Sequence, residues 1–137
     1  MMDLTKSILI SAAGMRAQGT RMRVVAENLA NMNSIATTPG GDPYQRKFVT
    51  FGSELDKATG LMKVHVEDIE RDQSDFRLRH DPSHPGADAA GYVKLPNVLM
   101  LVEMMDMREA QRSYEANVNV IDVTKSMIKR TVDLLKS

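Results

Sequence analysis

The chain has 137 residues, which is the length of one domain. Its 18 basic and 18 acidic residues cancel, so a protein that holds nucleic acid through many phosphate contacts is disfavoured. The absence of cysteine excludes disulfide bonds and thiolate metal sites.

The first predicted element is an amphipathic N-terminal helix, with expected domain bounds of 1–33. Asp3 or Thr5 can cap its start, and the turn-forming stretch 37–43 stops it. Apolar residues recur at a seven-residue spacing, which is what a helix needs to keep one row against a partner helix. The members of this row are Ile8, Met15, Met22 and Leu29. The opposite face is expected to be solvated, and it carries Lys6, Arg16, Gln18, Arg21 and Arg23.

The middle of the chain, residues 34–95, reads as a small irregular β-rich segment. Stretches 47–51 and 63–69 alternate and are rich in strand-forming residues, and 76–79 is a weaker candidate strand. A loop with two prolines follows at 81–86. We expect antiparallel strands with irregular connections.

The last predicted element, within domain bounds 96–137, is a long C-terminal helix. Its main apolar row again has a seven-residue spacing and consists of Met100, Met107, Tyr114, Ile121, Ile128 and Leu135. Val118 is a further apolar residue that we expect at the same interface. A second apolar face, about 200° away, carries Val102, Ala116 and Val123. A helix with two apolar faces needs more than one partner, so the sequence predicts a subunit of an assembly.

Candidate chemical sites are few. His80, Asp81 and His84 suggest metal ligands, but they have no fourth ligand nearby and are expected to be solvated loop residues. The helical acids Glu103, Asp106 and Glu109 alternate with arginines, which favours intrahelical ion pairs over acid–base catalysis. We therefore expect no catalytic residue, no metal, no cofactor and no small-molecule substrate.

Asparagines inside both predicted helices are a further signal. Asparagine is a poor residue for a helix interior, and a buried asparagine between helices fixes their register. The candidates for this role are Asn28, Asn31, Asn117 and Asn119.

Several stretches together resemble a known family. Residues 11–15, the pair Arg21-Met22 and the segment 27–31 resemble the N-terminal signature of bacterial flagellar rod, hook and hook-associated proteins. Residues 38–47, 81–85, 91–98 and 105–125 narrow the resemblance to the family of flagellar basal-body rod protein C, a proximal rod subunit. The loop residues that carry it are Pro39, Gly40, Gly41, Pro43 and Tyr44.

This resemblance implies a fold and a set of partners. It implies a mainly α protein whose long terminal helices pair as a coiled coil, with the β-rich segment projecting outward. It implies assembly with itself, with other rod proteins, and with membrane-ring and rod-adaptor proteins of the basal body. It also implies passage through the flagellar type III export apparatus without a cleaved signal peptide, and a location in the rod within the periplasmic space.

The predicted function is thus a structural subunit of a helical drive shaft that transmits torque, with no binding of nucleic acid. Two alternatives stay open from the sequence. One is another axial rod subunit, and the other is a cytosolic coiled-coil adaptor that binds a partner helix.

Overall fold

A computed structural model describes residues 2–136, which form two long helices and four strands. In chain order these are α1 (Met2–Ala30), β1 (Lys47–Asp56), β2 (Leu61–Arg71), β3 (Arg77–His80), β4 (Tyr92–Leu95) and α2 (Met100–Lys136). The predicted terminal helices and the antiparallel β segment between them are confirmed. No helix within residues 2–136 has the length and apolar character needed to cross a membrane.

The two helices run antiparallel along each other. Three contacts show the direction: Asn28 with Glu103, Arg21 with Glu109, and Gly14 with Asn117, which a Cβ at Gly14 would touch. The residue number rises along α2 as it falls along α1. With 37 residues against 29, α2 is the longer helix, about 55 Å at 1.5 Å per residue. Its C-terminal turns therefore extend beyond the start of α1.

The β1–β2 hairpin lies along α1. Its turn half packs on the helix, where Ala13 and Ala17 line the same groove as Val64 and Val66. The ladder is interrupted once, since Thr50 pairs with Asp68 but the next residue pairs with Val66, which leaves Glu67 as a bulged residue. The other half of the hairpin reaches the end of α1 at Asn28.

A second two-stranded sheet, β3–β4, leads into α2. Arg77 pairs with Leu95 and His80 with Tyr92. Strand β4 was not predicted, because its four residues lie between Gly91 and Pro96 and look like a loop. Val93 and Val98 from this region are nearly inaccessible to solvent, so the short strand supplies part of the core at the start of α2.

Candidate assembly interface

A cluster of hydrogen-bonded polar side chains joins the helix pair to the β segment. We call it the polar junction. Its members come from α1, from the loops before β1 and β3, and from the start of α2, and they are Asn28, Tyr44, Arg46, Asp72, Asn97 and Glu103.

Glu103 is the centre of the polar junction. Its side chain has 0% exposure, and its carboxylate accepts hydrogen bonds from Arg46 Nε and from Asn28 Nδ2, the latter at 3.1 Å. Arg46 also reaches Asp72 Oδ2 at 3.2 Å and Asp106 Oδ2 at 3.4 Å. Burial opposes the charge of Arg46, but the hydrogen bond and charge of Glu103 outweigh it and raise the pKa of the guanidinium. The buried carboxylate is therefore matched by a cation in direct contact, as burial requires.

Asn28 ties α1 to the start of β1. Its Nδ2 donates to the carbonyl of Lys47 at 2.8 Å, and its Oδ1 accepts from the Lys47 N–H at 3.0 Å. The Tyr44 hydroxyl donates to the same Oδ1 at 2.7 Å. Burial and the nearby carboxylates of Glu27 and Glu103 raise the pKa of Tyr44, so the phenol keeps the proton that it donates. Every polar atom of the buried Asn28 amide is thus used, and the strand is held at one position on the helix.

Asn97 makes the corresponding connection ahead of α2. Its Oδ1 accepts from the Arg46 N–H at 2.7 Å, while its Nδ2 donates to the carbonyls of Asp72 and Ser74 at 3.0 and 3.1 Å. The backbone N–H of Asp72 bonds to the carbonyl of Arg46 at 2.7 Å. The two loops that flank the base of the hairpin are therefore locked to each other and to α2.

The charge of Asp72 makes the polar junction sensitive to acid. The backbone and side chain of Ser74 hold the pKa of Asp72 below its usual value, with a further contribution from Arg46. Because the folded-state pKa is depressed, the stabilisation is present above the unfolded-state pKa of about 3.9 and is lost as pH falls through the folded-state pKa.

We expect Asp72→Asn to be less stable than the parent protein at neutral pH, and its stability to depend less on pH below about 4. Urea denaturation between neutral pH and the acid range measures this, with the exposed Asp75→Asn as control; equal acid slopes in Asp72→Asn and the parent protein would contradict it.

The prediction that the acids of α2 form ion pairs within that helix is wrong. Asp106 and Glu109 instead pair with Arg21 of α1, at 3.6 and 3.3 Å, and Glu103 pairs with Arg46. Arg21 was placed on the solvated face of α1, but only 20% of its side chain is exposed. The physical reason is that α1 packs over this side of α2, and a long arginine can extend along the interface to reach two acids.

The row of α2 that faces α1 combines two interleaved seven-residue rows. The first contains the predicted residues Met107, Tyr114, Ile121 and Ile128, all half-buried, together with Met100 and Leu135 at its ends, which are 50% and 81% exposed. The second row is the more deeply buried one and was not predicted; it consists of Glu103, Ala110, Asn117, Thr124 and Thr131. Together they give the alternating spacing of four and three residues that two packed helices share. The predicted row on α1, from Ile8 to Leu29, is half-buried throughout, and Val118 of α2 is half-buried as well.

The two helices approach each other closely at Gly14. A Cβ at this position would lie 2.8 Å from Asn117 Nδ2, which donates to the Ser113 carbonyl at 3.0 Å. Gly14 therefore makes room for Asn117, which accounts for a helix-weakening residue in the middle of α1. Among the other predicted asparagines, Asn31 caps the end of α1 by bonding to Glu27 and Ser34, and Asn119 is exposed.

The two glycines of α1 are expected to respond in opposite ways to the same substitution. Gly14→Leu should destabilise the protein by about 1–3 kcal/mol, because the new side chain displaces Asn117. Gly19→Leu should be neutral or stabilising by up to about 1 kcal/mol, because a Cβ there has nothing within 4 Å and leucine is the better helix former. Chemical denaturation followed by circular dichroism measures both. Similar losses in the two variants would show that the Gly14 approach is not tight.

The predicted family loop forms a turn that delivers Tyr44 to the polar junction. The N–H of Gly41 bonds to the carbonyl of Thr38 at 3.1 Å, with Pro39 and Gly40 between them. Gly40 has a φ of 77°, so this is a type II turn with the residues that such a turn requires. Pro43 is buried next to it.

At the start of α2 the usual burial pattern is reversed, since the acidic side chain is buried and the apolar side chains are exposed. Within residues 99–105 only Glu103 is buried, while the other six residues are apolar and between 42% and 76% exposed. Three of them are methionines, which adapt to partners of different shape. A continuous exposed apolar patch of this kind is typical of surfaces that contact proteins, membranes or ligands.

A second exposed apolar surface follows the side of α2 away from the predicted row. We call it the outer α2 face. It continues the face that the sequence assigned to a further partner, and its members are Val102, Ala116, Val120, Val123 and Met127. Within the described chain, no element covers this face; both α1 and the hairpin lie elsewhere.

The candidate metal ligands take part in turns. His84 Nδ1 accepts from the Gly86 N–H at 2.9 Å, Asp81 Oδ1 accepts from the Ser83 hydroxyl at 2.9 Å, and the His80 ring packs edge-on against Tyr92. Across residues 2–136, no group of three or more histidine or acidic side chains is arranged to hold a metal ion.

Comparison with known proteins agrees with an assembly role. The family model described as "Flagellar basal body rod FlgEFG protein C-terminal" matches residues 89–134, which include all of β4 and most of α2. The flagellar basal-body rod protein FlgC of Agrobacterium fabrum is 50% identical over 100% of this chain and 99% of its own length. FlgC of Aquifex aeolicus is 42% identical over 99% of this chain and 100% of its own, and FlgC of Escherichia coli O157:H7 is 41% identical over 91% and 92%. The chain belongs to the FlgC family of flagellar basal-body rod proteins, and it is a structural protein rather than an enzyme.

Proposed function

We infer that the protein is a structural subunit of the proximal rod of the flagellar basal body, and that its two helices build the rod wall. The observation that carries this role is the burial pattern of α2, which buries one side against α1 and leaves apolar residues exposed on another side. A helix of this kind gains stability only when a further molecule covers its second face.

The polar junction suits a torque-bearing subunit. It fixes the β segment to the helix pair through charged and amide side chains that are all hydrogen-bonded, and a fully satisfied network of this kind makes the connection rigid. We propose that the helix pair acts as a short antiparallel coiled coil within the rod. The four-and-three spacing of the α2 rows supports this packing mode.

The further partners follow from the same role. We propose that the subunit contacts other rod proteins as well as copies of itself, and that membrane-ring and rod-adaptor proteins lie against the ends of the rod. We propose that it reaches the periplasmic rod through the flagellar type III export apparatus without cleavage of a signal peptide. A chain without cysteine suits such a route, because no disulfide bond has to be formed or broken on the way.

Quantitative mass spectrometry of detergent-extracted hook–basal bodies from the source cells tests the proposal. We expect the protein to be recovered at a fixed low copy number together with the other rod proteins. Recovery only in the cytoplasmic fraction, with the rod intact, would overturn it and would favour a cytosolic adaptor. A strain that expresses a tagged copy but lacks the export apparatus provides the control for non-specific association.

A further inference from the structure

One end of the β1–β2 hairpin carries unpaired negative charge. All five residues at the end of β2, from Glu67 to Arg71, are exposed, whereas residues 63–66 of the same strand are half-buried. Three of the five are acids, Glu67, Asp68 and Glu70, and they flank the 40% exposed Ile69. No ion pair within residues 2–136 includes any of these acids. We call this surface the acidic strand end.

The C-terminal turns of α2 carry the opposite charge. From position 122 onward, four basic residues outnumber two acidic ones, Asp122 and Asp133. The basic residues are Lys125, Lys129, Arg130 and Lys136, and all four are exposed. The ion pairs of the described chain include none of them. Met127 and Leu135, 48% and 81% exposed, add apolar surface between these charges, and we call the region the basic helix end.

The two surfaces cannot meet within one molecule. The acidic strand end lies next to the polar junction, because Glu70 pairs with Phe48, one residue after the Lys47 that Asn28 holds. On α2 Glu70 is near the level of Glu103, so Lys125 is about 33 Å from Glu70 along the helix axis. These opposite charges are therefore both free to pair with groups on another molecule.

We propose that the acidic strand end of one copy of this chain binds the basic helix end of the next copy. This inference rests on the proposed rod function and names one of its contacts. The charges are complementary, and each surface also presents exposed apolar side chains for burial between them. Because the contact joins two different surfaces, repeating it head to tail gives a ring or an open helical array.

A simpler role for the acids must be separated from this one. Charged side chains on a free strand edge prevent that edge from pairing with other strands. That role depends on the presence of charge and not on its sign. Replacing the acids with lysine keeps the edge charged, so a sign reversal distinguishes the two roles.

The experiment is a charge exchange in the purified full chain. Sedimentation velocity at low ionic strength, about 20 mM, and at about 500 mM measures self-association, since screening weakens contacts between exposed charges. We expect Glu67→Lys/Glu70→Lys and Lys129→Glu/Arg130→Glu each to weaken self-association by about tenfold or more, and a chain with all four changes to restore it. Glu115→Lys/Arg112→Glu exchanges two exposed charges elsewhere on α2 and leaves the net charge unchanged, so it is the control for the fourfold variant.

Each outcome is decisive. Loss in both paired variants and restoration in the fourfold variant support the contact. A parent chain that stays monomeric at low salt, or a fourfold variant that stays dissociated, overturns it in favour of a different rod protein as the occupant. Recovery of the parent chain from basal bodies in the same cells would show that the proposed rod function stands even if this contact fails.

Discussion

Glu103→Leu is expected to lower the free energy of unfolding by about 3–5 kcal/mol, the usual cost of removing one partner from a buried ion pair. The loss arises because Arg46, whose side chain is only 18% exposed, keeps its charge but loses its closest anion. Asn28 Nδ2 loses an acceptor in the same step. Urea denaturation of the purified full chain, followed by far-ultraviolet circular dichroism, measures the change.

A second substitution shows whether the loss comes from an unpaired charge. In Glu103→Leu/Arg46→Met both charges are replaced by apolar side chains, and we expect most of the stability to return, with a coupling energy of about 2 kcal/mol or more. Glu109→Leu is the control on the same helix: its carboxylate is 68% exposed, so its pair with Arg21 should contribute at most about 1 kcal/mol. Equal losses in Glu103→Leu and Glu109→Leu would contradict the central place of Glu103.

The helices and the long hairpin could be predicted because each depends on a local pattern. The apolar periodicity of α2 continues for five heptads without glycine or proline, and the alternation over 63–69 is typical of a strand with one buried face. Strand β4 could not be predicted in this way, because four residues between Gly91 and Pro96 are too short to show a period. Among the described residues its only pairing partner is β3, from which it is separated by a loop of eleven residues.

The contacts between the helices were harder to predict for a different reason. A search for apolar residues finds Met107 and Ile121, but the most deeply buried row of α2 contains Ala110 and Thr124. Glu103 bonds to Asn28 of α1, whereas Asn117, Thr124 and Thr131 bond to carbonyls of their own helix, so each polar residue of this row has a partner without being apolar. The missed signal was the spacing itself, since each residue of this row lies three residues after a member of the apolar row, in every seven-residue repeat. The pairing of Glu103 with Arg46, 57 residues apart, leaves no trace in a single sequence.

Assembly through the outer α2 face leads to a second large effect. Val123→Asp/Met127→Asp is expected to abolish incorporation into the rod and therefore swimming, because two carboxylates cannot be buried against a neighbouring subunit without partners. The isolated subunit should keep its stability to within about 0.5 kcal/mol, since both side chains are exposed and line a surface groove formed by residues of α2. Soft-agar motility and mass spectrometry of purified basal bodies measure the first effect, and urea denaturation measures the second.

The choice of these positions matters more than the severity of the substitution. Ile121→Asp should also prevent incorporation, but Ile121 is half-buried within the row that faces α1, so the subunit itself would be destabilised and the cause would stay ambiguous. Arg108→Gln/Gln111→Asp makes the same change in net charge at two exposed polar positions of α2 and should leave both motility and stability unchanged. Normal incorporation of Val123→Asp/Met127→Asp would remove the outer α2 face from the assembly. The exposed patch of residues 99–105 would then be the surface of α2 through which the rod forms.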